Sequence, residues 1–317
     1  MLNIYVLSEE LTYLKNKWIC DVFKDEFIEY VNNNKTCGLK IVERPDDADI
    51  IWLIASWYFK KINPKILTEK YVISTIHHID QDKYEESKKM YQQLDKITDK
   101  YHVICPKVQN DLKKITNKEI VCANFWINEK LFFPISNKVA LRHKYNVPSD
   151  KFIVGSFQRD TEGKDPNIPK LSKGPDIFIK IINDMKKTKD IFVLLTGWRR
   201  TYIINELEKI NVAYSYYELV DPDVLNEMYN CLDLYIVSSR VEGGPRSIME
   251  CGLSKIPIIS TDVGIASIVL SNKSIFNVDN YLDYKNALID TDMAFKNTNK
   301  YIIKTYMQSF INIIFFE

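Results

Sequence analysis

The residues whose types and spacing could do most chemistry lie between Leu234 and Gly264. A short apolar run, residues 234 to 237, leads into Ser238-Ser239-Arg240-Val241-Glu242-Gly243-Gly244-Pro245-Arg246-Ser247. A stretch of helical period carrying Glu250 follows, then a second apolar run at residues 256 to 260. That order predicts a strand, a glycine-bearing turn, a helix and a second strand. Gly243 and Gly244 let the backbone come close to a ligand, and Pro245 suits a first helical turn, where its missing N–H costs nothing. The amides of Arg246 and Ser247 then face any anion held at the positive end of the helix dipole. The chemistry implied is the binding of a phosphate-bearing ligand at the carboxyl edge of a sheet. Glu242 in the turn and Glu250 on the helix stand eight residues apart, so one carboxylate at each end can receive hydroxyls from two parts of one sugar nucleotide. By itself the same pair reads equally as a charge at the helix dipole and a solvated helix face.

Other residues of chemical interest are weaker on their own. Histidine changes charge near neutral pH, and the chain has four. His77 and His78 end an expected strand, where a structural histidine is the ordinary alternative to a substrate contact. His102 and His143 have no motif and read as structural. The four lack the ligand spacing of an HExxH metal site, and the cysteines at 20, 37, 105, 122, 231 and 251 lack close CxxC pairing. Asp221-Pro222-Asp223 has the form of an Asp-x-Asp metal clamp, but its place before an amphipathic stretch makes it a helix cap with a proline at the first helical position. No metal is required. Trp198-Arg199-Arg200 after Gly197 reads as a phosphate or acceptor contact or, equally, as a solvated loop.

These groups must be positioned by α/β architecture, because β-branched or aromatic runs alternate with amphipathic stretches along the whole chain. Strands are expected near residues 3 to 7, 39 to 42, 50 to 54, 71 to 75, 101 to 105 and 119 to 122. Trp18, Val22, Phe23, Phe27, Ile28 and Val31 give one helix a stripe for a sheet face, and residues 82 to 96 form a more polar helix. A break marked by Pro134, Pro148 and polar residues follows. The alternation then restarts with strands near residues 152 to 157, 191 to 196, 212 to 216, 234 to 237 and 256 to 260, and helices at 177 to 185, 202 to 209, 224 to 231 and 248 to 253. Two Rossmann-like domains are expected, residues 1–137 and 138–297. Residues 298–317 form a C-terminal helix apolar enough to pack back on the first domain.

Composition narrows the function classes. Lys and Arg number 43 against 42 Asp and Glu, a net charge of +1. No basic surplus or long Lys/Arg block suits a nucleic-acid backbone. No apolar run approaches the roughly 18 residues of a membrane span, and the first eight residues read as a strand and not as a leader peptide. Scattered cysteines point to reduced thiols and a cytoplasmic location, with peripheral contact to a membrane left open.

Taken together, the motifs resemble the retaining glycosyltransferases of the GT-B fold, the family called glycosyltransferase group 1 or family 4. Its pattern is met by Ser238-Ser239, Glu242-Gly243, Glu250, Pro257-Ile258-Ile259 and Thr261-Asp262-Val263-Gly264. Gly155-Ser-Phe-Gln158-Arg159 and Lys173-Gly174-Pro175-Asp176 resemble the segments whose Arg and Lys neutralise the donor diphosphate, Arg offering a fork and Lys a point charge. The resemblance implies that Glu242 orients the donor sugar and Glu250 the ribose. Gly155, Gly243, Gly244, Arg246 and Ser247 would line the donor site. Ile73-Ser-Thr-Ile-His77-His78 resembles the strand that ends in an active-site histidine, which places His77, or alternatively His78, near the acceptor. Three departures stand out. The segment from Ser8 to Lys17 replaces a Gly-Gly loop near the acceptor site, and Gly264-Ile265-Ala266 replaces a second Gly-Gly pair. An insertion from Asp160 to Ser172 makes Lys164 and Lys170 rivals of Lys173.

What the resemblance implies is a hexosyltransferase-type enzyme without a cofactor. It would take a UDP-sugar or GDP-sugar in the second domain and a carbohydrate or lipid-linked hydroxyl acceptor in the first. Glu242, His77, Arg159 and Lys173 would carry the reaction. The alternatives are a nonhydrolysing sugar-nucleotide epimerase of the same fold and a catalytically silent sugar-nucleotide or glycan-binding module.

Overall fold

The computed structural model describes residues 1 to 8 and 19 to 317. Trp18 of the expected helix stripe and residues 9 to 17 of the acceptor-side segment lie outside the described residues. The chain divides into two compact units, Met1–Trp126 with Lys304–Glu317, and Ile127–Ile303.

The first unit is built on six parallel strands: β1 (Leu2–Leu7), β2 (Leu39–Ile41), β3 (Ile50–Leu53), β4 (Tyr71–Ile76), β5 (Lys100–Val103) and β6 (Glu119–Cys122). Their order is β2-β1-β3-β4-β5-β6. β3 reads Ile-Ile-Trp-Leu and is buried at all four positions, as a parallel strand covered on both faces must be. Helix Ile19–Asn33 turns Phe23, Phe27 and Val31 inward as its period predicts. Val22 and Ile28 are only half-buried, however, and Asp21 and Glu26 are buried beside the aromatics. Hydrogen bonds explain the exchange: Ser8 Oγ donates to Asp21 Oδ1 at 2.6 Å, and Trp126 Nε1 donates to Glu26 Oε2 at 2.9 Å. A buried carboxylate so satisfied avoids the penalty of an unpaired one. Helix Ile303–Phe315 completes this core, Phe310 lying 5.1 Å from Trp126 and 5.8 Å from Trp52 between ring centroids.

His102 sits inside that aromatic cluster, fully buried. Its Nε2 is 2.8 Å from the Ala123 carbonyl and its Nδ1 is 3.0 Å from Thr75 Oγ1. A carbonyl only accepts, so Nε2 carries the proton and Nδ1 accepts from the Thr75 hydroxyl. Burial pulls the ring's pKa down to about 3. A folded value below the unfolded 6.5 gives stability that is present above pH 6.5 and lost as pH falls through the folded value. By pH 4 the expected loss from this residue is about 3 kcal/mol. Measured by urea unfolding, the fall in stability between pH 7 and pH 4 should be about 3 kcal/mol smaller in His102→Gln, whose amide can still donate to Ala123, than in the wild type.

The second unit repeats the plan with β7 (Phe152–Ser156), β8 (Ile191–Thr196), β9 (Tyr214–Tyr217), β10 (Leu234–Val237), β11 (Ile258–Thr261) and β12 (Ile275–Phe276). All are parallel, in the order β12-β11-β10-β7-β8-β9. Helix Pro175–Met185 lays Ile177, Phe178, Ile181, Ile182 and Met185 on Val154, Val193 and Leu195 of the sheet. The order reverses between β7 and β10, and the carboxyl ends of strands at such a reversal open a crevice for a ligand. Among the described residues no helix is long and apolar enough to cross a membrane.

Candidate functional site

The reversal brings together the loop after β7, the loop after β10 and the turn Leu171–Lys173, which precedes the helix Pro175–Met185. The turn is tied to the β10 loop through backbone. The amides of Arg240 and Val241 donate to the Ser172 carbonyl at 2.8 and 3.1 Å, and Ser238 Oγ donates to the Gly174 carbonyl at 2.8 Å. Arg240 adds a bidentate pair to Asp176 at 2.8 and 2.7 Å and a bond to the Leu171 carbonyl, so its planar fork clamps both ends of the turn. Gly174 lies at φ +61, and a Cβ there would run into the Ser238 carbonyl. Gly264 is similar: at φ +51 it lies against the carbonyl of Gly243.

This scaffold presents Lys173 directly to Glu242, and the ammonium and carboxylate form an ion pair. Ser239 Oγ stands 3.4 Å from the same Glu242 oxygen and 3.4 Å from Gln158 Oε1. Gln158 Nε2 in turn donates to the Lys173 carbonyl at 3.0 Å. Lys170 shares the field of Arg159, Lys173 and Glu242, and its pKa is pulled down to about 8, first by burial and then by the two cations. Of Lys173 and its two rivals in the insertion, Lys173 and Lys170 therefore belong to this cluster, while Lys164 is exposed.

Helix Arg246–Ser254 begins at the end of the β10 loop with Pro245 as its N-cap, one position earlier than expected. Arg246 and Ser247 thus hold the first two helical positions, whose amides have no intrahelical acceptor. The Arg246 side chain turns back along the helix to Glu250, Nε to Oε1 at 3.1 Å, and Tyr229 donates to Glu250 Oε2 at 2.7 Å. Each carboxylate oxygen retains acceptor capacity for a further donor. Gly155 lies inside β7, where the Leu232 side chain occupies the space its Cβ would take.

In the first unit, His77 follows β4 directly. Its Nε2 is 2.8 Å from the Ile54 carbonyl, which places the proton on Nε2 and leaves Nδ1 as the acceptor. The ring lies between Phe125, stacked at 5.7 Å, and Trp57, edge-on at 5.7 Å. Burial lowers its pKa to about 4, so near neutral pH it is an uncharged acceptor. His78 beside it and His143 are exposed.

Two sequence readings change. Arg200 is neither a phosphate contact nor part of a solvated loop: its side chain is buried, paired with Asp160 at 3.2 Å. Asp221 occupies the N-cap of helix Pro222–Asn230 with Pro222 at its first position, but its side chain makes no capping hydrogen bond. Gln158, Ser239 and the turn glycine Gly174 hold the site together without standing out as structural residues in the sequence. A Lys-Gly-Pro string at a helix start is the one local signal that pointed to the last of them.

Residues 167–291 match the family described as Glycosyl transferases group 1. Among solved structures, the chain is similar to Anabaena HepE in complex with UDP-glucose, with a TM-score of 0.70 at 11% identity over 98% of each chain. A glycosyltransferase from Rickettsia africae gives 0.66 at 15% identity, covering 99% of this chain and 97% of that one. A sucrose-phosphate synthase from Thermosynechococcus elongatus gives 0.66 at 14% identity, covering 96% of this chain and 80% of that one. No curated protein matches the chain. At these identities the likeness establishes the shared fold, two Rossmann-like units of the GT-B type.

Proposed function

We propose that this chain, which carries a glycosyl transferases group 1 domain at residues 167–291 on the GT-B fold, moves a sugar with retention from a nucleoside diphosphate to a hydroxyl acceptor. The observation that carries the reading is the meeting of Lys173 and Glu242 at the strand reversal, with Arg159 and Lys170 in the same field. A diphosphate seated there gains Lys173, Arg159 and the first-turn amides at Arg246 and Ser247 as donors. Glu242 is left to bind the hydroxyls of the sugar, and Glu250 those of the ribose. HepE was solved with UDP-glucose, which favours a uridine donor here over a guanosine one.

The reaction breaks the bond between sugar C1 and the phosphate oxygen and forms a bond from C1 to the acceptor oxygen on the same face. Charge grows on the departing diphosphate and on an oxocarbenium-like C1. The preorganised cations and amides act where the negative charge develops, and they are worth most there. The acceptor's proton passes to the leaving phosphate oxygen. The first unit would take the acceptor, with neutral His77 offering Nδ1 to an acceptor hydroxyl.

The direct test is a screen of UDP- and GDP-sugars against the purified full chain without added metal, reading thermal shift and release of nucleoside diphosphate in wild type and Glu242→Ala. Stabilisation by one nucleotide class with Glu242-dependent release supports transfer. Absence of binding by every sugar nucleotide defeats it.

Lys170 adds a pH signature. A bound diphosphate favours the ammonium form, so affinity is complete below the group's pKa of about 8 and falls as pH rises through it. Without ligand the sign is opposite: the depressed folded value costs stability below pH 8, and that stability returns as pH climbs toward the unfolded value near 10.4. Titration calorimetry with UDP at pH 7, 8 and 9 should show weakening of about tenfold in wild type and a flat profile in Lys170→Met.

A further inference from the structure

The site just described depends on a loop whose support lies out of reach of any ligand. Arg200 is 1% exposed and Asp160 0%. A buried ion pair is weak evidence for stability, because well-packed apolar residues often do as well in its place. This pair is not arranged for maximal stability either, since Asp160 Oδ1 has no hydrogen-bond partner among the described residues. What the pair does have is reach. Arg200 Nε donates to Asp160 Oδ2 at 3.2 Å, Nη2 to Ser156 Oγ at 3.1 Å, and Nη1 to the Thr196 carbonyl at 3.1 Å and to the Gln158 carbonyl. The Asp160 amide donates to the Arg199 carbonyl at 3.3 Å, and the Asp160 carbonyl accepts from the Lys170 amide at 2.7 Å. One planar guanidinium thus fixes the chain from Ser156 to Asp160, a task beyond the single ammonium of a lysine. The held segment includes Gln158, whose amide bonds the Lys173 carbonyl and whose carbonyl oxygen meets Ser239, the neighbour of Glu242.

We propose that Arg200 is a positioning residue for the donor site, setting Lys173 and Glu242 through Gln158 and Ser239. It rests on the reading of that edge as the diphosphate site. Arg200 touches no substrate; its effect is to keep the cation and the carboxylate within a fraction of an ångström of their working places, the range in which misplacement erodes rate.

The test compares Arg200→Lys, Gln158→Leu and the double variant in the full chain. The readouts are melting temperature, UDP affinity, and kcat and KM for the donor by nucleoside diphosphate release. Each single change is expected to lower kcat about tenfold with a smaller change in donor KM. Gln158→Leu, at a half-buried loop position, should keep the wild-type melting temperature. Because both act on one path, the double variant should be no more than about twofold worse than the poorer single. A Gln158→Leu protein with wild-type kcat overturns the proposal, as does a double variant whose losses multiply to about a hundredfold. Should Arg200→Lys fail to fold, Gln158→Leu alone still decides. A wild type that binds no sugar nucleotide defeats the donor-site reading itself. Wild-type turnover left unchanged by Gln158→Leu defeats only the role of Arg200.

Discussion

Glu242→Gln is expected to lower transfer by about a hundred- to a thousandfold while leaving the nucleoside diphosphate bound at least as tightly as in the wild type. The two halves of this expectation come from one contact. The Lys173 ammonium is held by the Glu242 carboxylate, whose side chain is only 9% exposed. A diphosphate must draw that ammonium toward itself, so Glu242 competes with the ligand in the ground state. Glutamine keeps the shape and removes the competing charge, which should tighten UDP by a few-fold. Turnover falls because an amide is a weaker acceptor for sugar hydroxyls than a carboxylate and gives no electrostatic support to positive charge at C1. Lys173→Met should behave oppositely in binding, weakening UDP about tenfold through loss of one charge-assisted contact, with turnover also reduced. Calorimetry with UDP separates the cases. If Glu242→Gln weakens UDP as much as Lys173→Met does, the pair acts as one cooperative clamp on the diphosphate, and the sugar-orienting role moves elsewhere.

The parts of the fold that were legible in the sequence are those decided by local pattern. β6, β8 and β10 begin and end where the apolar runs predict, at residues 119 to 122, 191 to 196 and 234 to 237. β8 and β10 are buried at every position and read as uninterrupted apolar runs, while β6, half-buried at the sheet edge, is marked by its β-branched pair Ile120-Val121. Where only the apolar period marks a helix its start reads one or two residues late: Pro175 and Thr201 begin helices expected at 177 and 202. Asp221-Pro222 marks its helix start to the residue, and Pro245 lies one residue before its helix. The first turn carries prolines and polar residues, and the apolar period shows only where the helix meets the sheet. β12 is two residues long and helices Ala266–Val269 and Pro64–Glu69 are four and six, too short to display a period at all.

The candidate site divides along the same line. Glu242, Glu250, Arg159 and Lys173 stand out by motif, whereas the residues that hold them do not. Arg200 lies in a tripeptide that looks solvent-facing, and its burial is settled by Ser156, Gln158 and Asp160, about forty residues earlier. Asp21 and Glu26 are hidden on the first helix for the same reason, because their partners Ser8 and Trp126 are distant in sequence. Side-chain partners that redirect a polar residue inward are tertiary facts, and no window of local sequence contains them.

The second large effect is expected at Gly174, where a conformational requirement and a steric one coincide. Gly163, eleven residues earlier in the chain, offers a control. Both adopt left-handed backbone, φ +61 at Gly174 and φ +67 at Gly163, but a Cβ on Gly163 meets nothing within 4 Å, while one on Gly174 collides with the Ser238 backbone. Gly163→Ala should therefore cost only the conformational penalty, about 1 kcal/mol. Gly174→Ala must also push the turn away from β10, and a total of about 3 kcal/mol or more is expected, a fall in melting temperature of about 6 to 12 °C. The turn has little freedom to yield, since Ser172 is bonded by two amides of the β10 loop and Leu171 and Asp176 by Arg240. Whatever movement occurs carries Lys173 with it, so folded Gly174→Ala should also bind UDP about tenfold more weakly, whereas Gly163→Ala should bind it normally. Thermal melts and UDP titrations on both variants separate the two contributions. Equal losses of stability would mean that the left-handed conformation alone accounts for the glycine. A large stability loss with unchanged UDP affinity would detach Lys173 from the turn that carries it.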